Sequence, residues 1–141
     1  MKEQIIYAEY DKATGTSRMK KSNKYGIFCA EAHVHPEDKN IENRWDGLRF
    51  CEYKIEIKTA KVRSRILRER ANGLKTAIMN IVPPDPDEED YTWDKLVVQY
   101  MDAQARAADA EDAYRRLKRD YYDFVDACLE ERKRIRKRAE K

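Results

Sequence analysis

The chain has 141 residues, of which 40% are charged and 41% hydrophobic, with a formal charge of +3. That length suits a single domain, and apolar residues that recur periodically among nearly balanced charges argue for long solvent-exposed helices rather than disorder. The charge is uneven: residues 132–141 carry seven Lys/Arg and one Glu, a net +6, which leaves −3 on the rest of the chain.

Cys29, Cys51 and Cys128 are widely spaced and odd in number, the pattern of free thiols in a reducing cytosol rather than a disulfide framework. No apolar run reaches the length of a membrane span and MKEQIIYAEYD lacks a signal-peptide core, so a soluble cytoplasmic protein is expected.

In chain order, QIIYAEY at 4–10 is β-branched and aromatic and runs into a turn, Asp11 to Gly15, where glycine supplies a positive φ. Residues 25–35 form a second extended candidate stopped by Pro36, and part of 16–22 a third. Together they predict a small antiparallel sheet over 1–45, which needs a helix against one face to be stable. Asp46 is the expected N-cap of a first long helix over 46–82. Along it Phe50, Tyr53, Ile57, Ala60, Ser64, Leu67, Ala71, Leu74, Ile78 and Ile81 step by three and four. A second row, Leu48, Cys51, Ile55, Val62 and Ile66, gives its N-terminal half two neighbours, the sheet and another helix. Gly73 inside it marks a kink or a close contact. The Pro/acidic stretch 83–91 ends that helix, and Asp90 or Thr92 caps a second over 92–140.

The second helix carries the clearer repeat: Leu96, Tyr100, Ala103, Ala107, Ala110, Tyr114, Leu117, Tyr121, Phe124, Cys128 and Ile135, broken only at Glu131. About 45 helical residues span roughly 70 Å, so the stripe must be covered by the first helix or by a second copy of the chain. The fold class expected is α+β, a small N-terminal antiparallel sheet on two long helices. Oligomerisation through the helices, with a site built between chains, is expected too.

Motifs for catalysis are missing from the sequence: no Gly-rich phosphate loop, no nucleophile elbow, and two histidines only two positions apart. A non-enzyme without a cofactor is expected. Cys29, Glu31, His33 and His35 would share one face of a strand, either a loose metal set or, in better accord with their spacing, a half-exposed strand. Arg106, Arg115 and Arg119 lie on the second helix; the last two, four apart, either clamp a phosphate or pair with neighbouring acids such as Glu111 and Asp112. Tyr91 and Trp93 flank the helix start, where rings and amides suit a nucleotide or a hydrophobic staple. The basic end lacks the interleaved aromatics of a base-stacking surface, so the helix-dipole reading is preferred over nucleic acid.

Tyr25-Gly26-Ile27, then His35-Pro36-Glu37-Asp38, Gly47 and the run Cys51 to Lys58 together resemble the phage Thoeris anti-defence sponge proteins. Their shared pattern is Tyr-x-Gly, His-Pro-Asp-Asp, Gly, then Arg-Ala-x-Ile-Lys opening a long helix. The resemblance covers roughly residues 4–80 and rests on short motifs. It implies a homodimer or a larger homo-oligomer such as a hexamer, acting in the infected bacterial cell. It also implies binding without cleavage of a cyclic ADP-ribose isomer, with cyclic oligonucleotides a further option. By the same resemblance, helix arginines hold phosphates and an aromatic holds adenine. The family's Arg is Lys54 here, its late-helix aromatic falls near Ile78 or Met79, and its loop asparagine has no counterpart before Tyr91. The resemblance together with the helix residues above gives Lys54, Tyr91, Trp93, Arg106, Arg115 and Arg119 as ligand-binding candidates. The alternative is a coiled-coil interaction protein that uses its basic end.

Overall fold

The computed structural model describes residues 3–33 and 44–139. Three strands, β1 (Gln4–Asp11), β2 (Thr16–Asn23) and β3 (Gly26–His33), precede two helices, α1 (Arg44–Met79) and α2 (Thr92–Ala139). The strands form an antiparallel meander in the order β1-β2-β3. At the first turn Gly15 takes φ 68° and its N–H donates to the Asp11 carbonyl at 2.8 Å. At the second, the Tyr25 N–H donates to Asn23 Oδ1 at 2.8 Å and Gly26 adopts φ 137°. Both glycines occupy backbone that L side chains avoid.

The expected boundaries shift by a few residues. α1 begins two residues before Asp46, which therefore sits in the first helical turn, complementing the dipole rather than capping it. It ends at Met79 because Asn80 and Ile81 close a turn onto Thr76, Ala77 and Ile78, and Pro83 disfavours helical backbone at Val82. His35 and Pro36, including the strand stop expected there, lie outside the described residues.

The chain divides into two units, Met1–Thr59 with Arg115–Lys141, and Ala60–Tyr114. In the first unit the sheet lays one face on α1. Strand alternation turns Ser17, Met19 and Lys21 of β2 inward, opposite Ala32, Ala30 and Phe28 of β3. Met19 and Ala30 close a core with Leu48, Cys51 and Ile55, the second row of α1, and Ile55 is 1% exposed. The Cys51 thiol donates to the Ser17 carbonyl at 3.4 Å. Asn23 Nδ2 donates to Thr59 Oγ1 at 3.1 Å, fastening the β2–β3 turn to the helix. The other stripe of α1 meets α2 through rings: Phe50 lies 4.9 Å from Phe124, and Tyr53 5.9 Å from Tyr121. The two neighbours expected for this half of α1 are both present.

In the second unit, Ala71 of α1 packs with Ala103 and Ala107 of α2, flanked by Leu67 and Leu74. Alanines at the seam let two helix backbones approach closely. Arg68 bridges across it, donating to Gln104 Oε1 and pairing with Glu111. Gly73 has nothing within 4 Å of where its Cβ would be, so it is not a close-contact glycine. In each unit part of the α2 stripe is met by α1 of the same chain, Ala103 and Ala107 in one and Tyr121 and Phe124 in the other. Among the described residues, no helix is long and apolar enough to cross a membrane.

Candidate anion-binding pocket

The first unit holds a pocket of about 200 Å³ between the end of β3, α1 and α2. Its floor is apolar and aromatic, formed by Phe50, Tyr121, Val125 and Leu129, with Ala32 and Cys128 beside them. Lys54, Arg132 and His33 supply its charged and polar groups, and among the described residues no carboxylate lines it. The α2 side follows from helix geometry: Tyr121, Val125, Cys128 and Arg132 step by four, three and four, so they share a face.

Lys54 and His33 are held in place. Lys54 Nζ donates to the Glu31 carbonyl at 2.6 Å, which uses one of its three donors and fixes the ammonium beside β3. His33 Nδ1 lies 3.0 Å from Thr16 Oγ1, and His33 Nε2 lies 3.4 Å from Glu31 Oε2. With both ring nitrogens turned to Thr16 and Glu31, the imidazole is poorly placed to act as a base for Cys128. Burial, reinforced by Tyr122 and Cys51, raises the Tyr121 pKa, so its phenol stays protonated and neutral at physiological pH. The result is an apolar and aromatic surface with two cations beside it, Lys54 fixed by β3, suited to an anion attached to a ring.

A neighbouring pocket of about 220 Å³, lined by Arg49, Glu52, Tyr53 and Glu56, has the opposite character. Burial, then the negative field of Glu52, raises the Glu56 pKa. Two carboxylates already in repulsion disfavour a phosphate there. Lys21, almost fully buried nearby, bonds Glu3 and Glu52 at 3.1 and 3.3 Å. Burial alone would lower its pKa, but the Glu3 hydrogen bond and the field of Glu52 outweigh that and leave it raised.

Of the residues expected from sequence, Lys54 lines the pocket. Arg115 and Arg119 belong to the same unit and are exposed on α2, four apart, but are not among the lining residues. Tyr91, Trp93 and Arg106 belong to the second unit. Trp93 and Arg106 stand thirteen residues apart on one helix, roughly 20 Å, so they form no common site. Arg106 Nε pairs with Asp102 Oδ2 at 3.1 Å, an exposed i,i+4 pair of the kind that contributes little. Tyr91 is 62% exposed, and its carbonyl accepts the Lys95 N–H at 2.9 Å. The Asp90 carboxylate accepts the Thr92 N–H at 3.0 Å, and this bonding lowers its pKa. An anionic ligand at this helix start would compete with a carboxylate already in place.

Phe50, Tyr121, Arg132 and His33 were not expected as site residues. Arg132 reads as part of the basic end, although its spacing from Tyr121, Val125 and Cys128 was a usable signal. Cys29, Glu31 and His33 do alternate along β3 and are exposed, and Glu31 is bonded to Arg18 at 3.1 Å. Among the described residues no group of three His, Cys, Asp or Glu is arranged to hold a metal. No family model, curated protein or solved structure matches this chain.

Proposed function

We propose that this chain is a non-catalytic trap for a cyclic nucleotide signal, a phage anti-defence sponge that withholds a cyclic ADP-ribose isomer from Thoeris-type immunity. The observation that carries this reading is the pocket of Phe50, Lys54, Tyr121 and Arg132, aromatic and cationic, with no carboxylate among its described lining residues. Lys54 and Arg132 take the phosphates, and Tyr121 and Phe50 take the flat base. About 200 Å³ is smaller than the roughly 300–1,000 Å³ of ordinary small-molecule pockets. It therefore receives one end of such a ligand, and a homodimer or larger assembly encloses the rest.

A trap needs affinity and stoichiometry, with every ~1.4 kcal/mol tightening binding tenfold. Side chains anchored beforehand, as Lys54 is by Glu31 and His33 by Thr16, lower the ordering cost of binding. The test is to incubate the protein with cyclic ADP-ribose isomers, remove it by filtration, heat it, and identify what is released by mass spectrometry. Depletion followed by return of intact ligand is expected. Return of an altered nucleotide would make the chain an enzyme, and no depletion would leave the coiled-coil interaction reading.

A further inference from the structure

The two edges of the sheet are built differently. On β3, α1 lays one ammonium on each of two edge carbonyls: Lys54 Nζ on Glu31 and Lys58 Nζ on Cys29, both at 2.6 Å. These acceptors are two residues apart on one strand, so both face the same way along the edge. An incoming strand would find them already bonded, and lysine on an edge is a common guard against strand addition.

Among the described residues β1 has no such guard. Gln4 to Asp11 contains no Lys, Arg or Pro and is rich in β-branched and aromatic residues. Every residue of it is exposed except half-buried Tyr10. Ile5 and Ile6 (55% and 48% exposed) and Ile27 of β3 (62%) meet Gln4, Ser22 and Asn23 around a groove of about 470 Å³ whose described lining residues carry no charge. A bulge at Ile6 interrupts the pairing with β2, but Tyr7 to Asp11 continue in unbroken register.

We infer that β1 pairs antiparallel with β1 of a second copy, joining two three-stranded sheets into one of six strands about a two-fold axis at Ala8. β1 is self-complementary in charge in one register, which favours a second copy as the occupant. An axis at Tyr7 would set Glu3 against Asp11, and an axis at Glu9 would set that carboxylate against its own copy; like charges directly opposed destabilise a sheet. With the axis at Ala8, Tyr7 faces Glu9, Ile6 faces Tyr10, and Gln4 faces Lys12, with no like charges opposed. The same patch then serves both copies, as a two-fold interface requires. The groove of isoleucines beside the edge extends the contact. The inference is independent of the ligand reading.

The test uses the full chain at micromolar concentration. Light scattering is expected to give twice the 16.8 kDa chain mass. Ile6→Lys with Tyr10→Lys should halve it while leaving the far-UV circular dichroism unchanged. In a Cys29→Ser, Cys128→Ser background that keeps buried Cys51, Ala8→Cys should form a disulfide-linked dimer on mild oxidation. Directly opposed residues stand ~4.5–5.5 Å apart at Cα, within disulfide reach. Ala105→Cys, exposed on α2, should stay reduced. A monomeric parent, a mass that survives the lysine pair, or cross-linking at position 105 instead of 8 overturns the inference. Should the lysine pair fail to fold, the two cysteine variants decide alone.

Discussion

Replacing Ile55 with alanine isolates the contact that sets the sheet on α1. Ile55 is 1% exposed and belongs to the cluster of Met19, Ala30, Leu48 and Cys51. The change removes three carbons, and at about 0.8 kcal/mol per buried methylene the transfer loss alone is about 2.4 kcal/mol. A residual cavity between strand and helix adds to that, bringing the total to about 3–4 kcal/mol. Ile55→Val removes one carbon and should cost about 1 kcal/mol. At about 4 °C per kcal/mol, the alanine variant should melt some 12–16 °C below the parent. Urea unfolding followed by circular dichroism at 222 nm measures both changes. An alanine variant within about 1 kcal/mol of the parent, or no worse than the valine variant, would mean the sheet does not rest on this helix.

Three other outcomes are expected. Gly73→Ala should stabilise the protein by about 0.5–1 kcal/mol in the same urea assay, because the added methyl meets no neighbour in a helix interior; a loss would reveal a contact at that face. Glu56 has a raised folded-state pKa, so its contribution to stability is complete below the ordinary glutamate value and is lost as pH rises through the folded value. Glu56→Gln should therefore raise Tm at pH 7 and leave it nearly unchanged at pH 4; a fall at pH 7 would show a favourable partner for that carboxylate. Reversing Arg115 and Arg119 to Glu should weaken nucleotide uptake less than Arg132→Glu does, since only Arg132 lines the pocket. A complete loss confined to the first variant would move the phosphate site along α2.

The helices were legible because their stripes are long. Ala71, Ala103 and Ala107 fell on the expected rows and are the buried seam, and Leu48, Cys51 and Ile55 announced the second neighbour of α1. β2 was the faintest strand for a physical reason. Its inward residues are Ser17, Met19 and Lys21, and the lysine is accommodated there by Glu3 and Glu52, carboxylates distant in sequence. The end of α1 was overextended because Ile81 continues the apolar step, while the following prolines govern the backbone. Of the pocket only Lys54 was expected as a ligand residue; α2 periodicity does place Arg132 with Tyr121, but only the packing of β3 on α1 brings Lys54 and His33 to them. Exposed arginines such as Arg115 and Arg119 draw attention in sequence for the same reason they are solvated, a polar flank beside an apolar stripe.

Under the proposed function Lys54, Tyr121 and Arg132 form a site for an anionic nucleotide. Isothermal titration of the parent and of Arg132→Met with cyclic ADP-ribose isomers tests it most directly. A hydrogen bond to a charged group contributes about 1.5–3 kcal/mol, so saturable binding by the parent and affinity roughly ten- to a hundredfold weaker in the variant are expected. Equal affinities in the two proteins, or no saturable heat in the parent, would contradict the account.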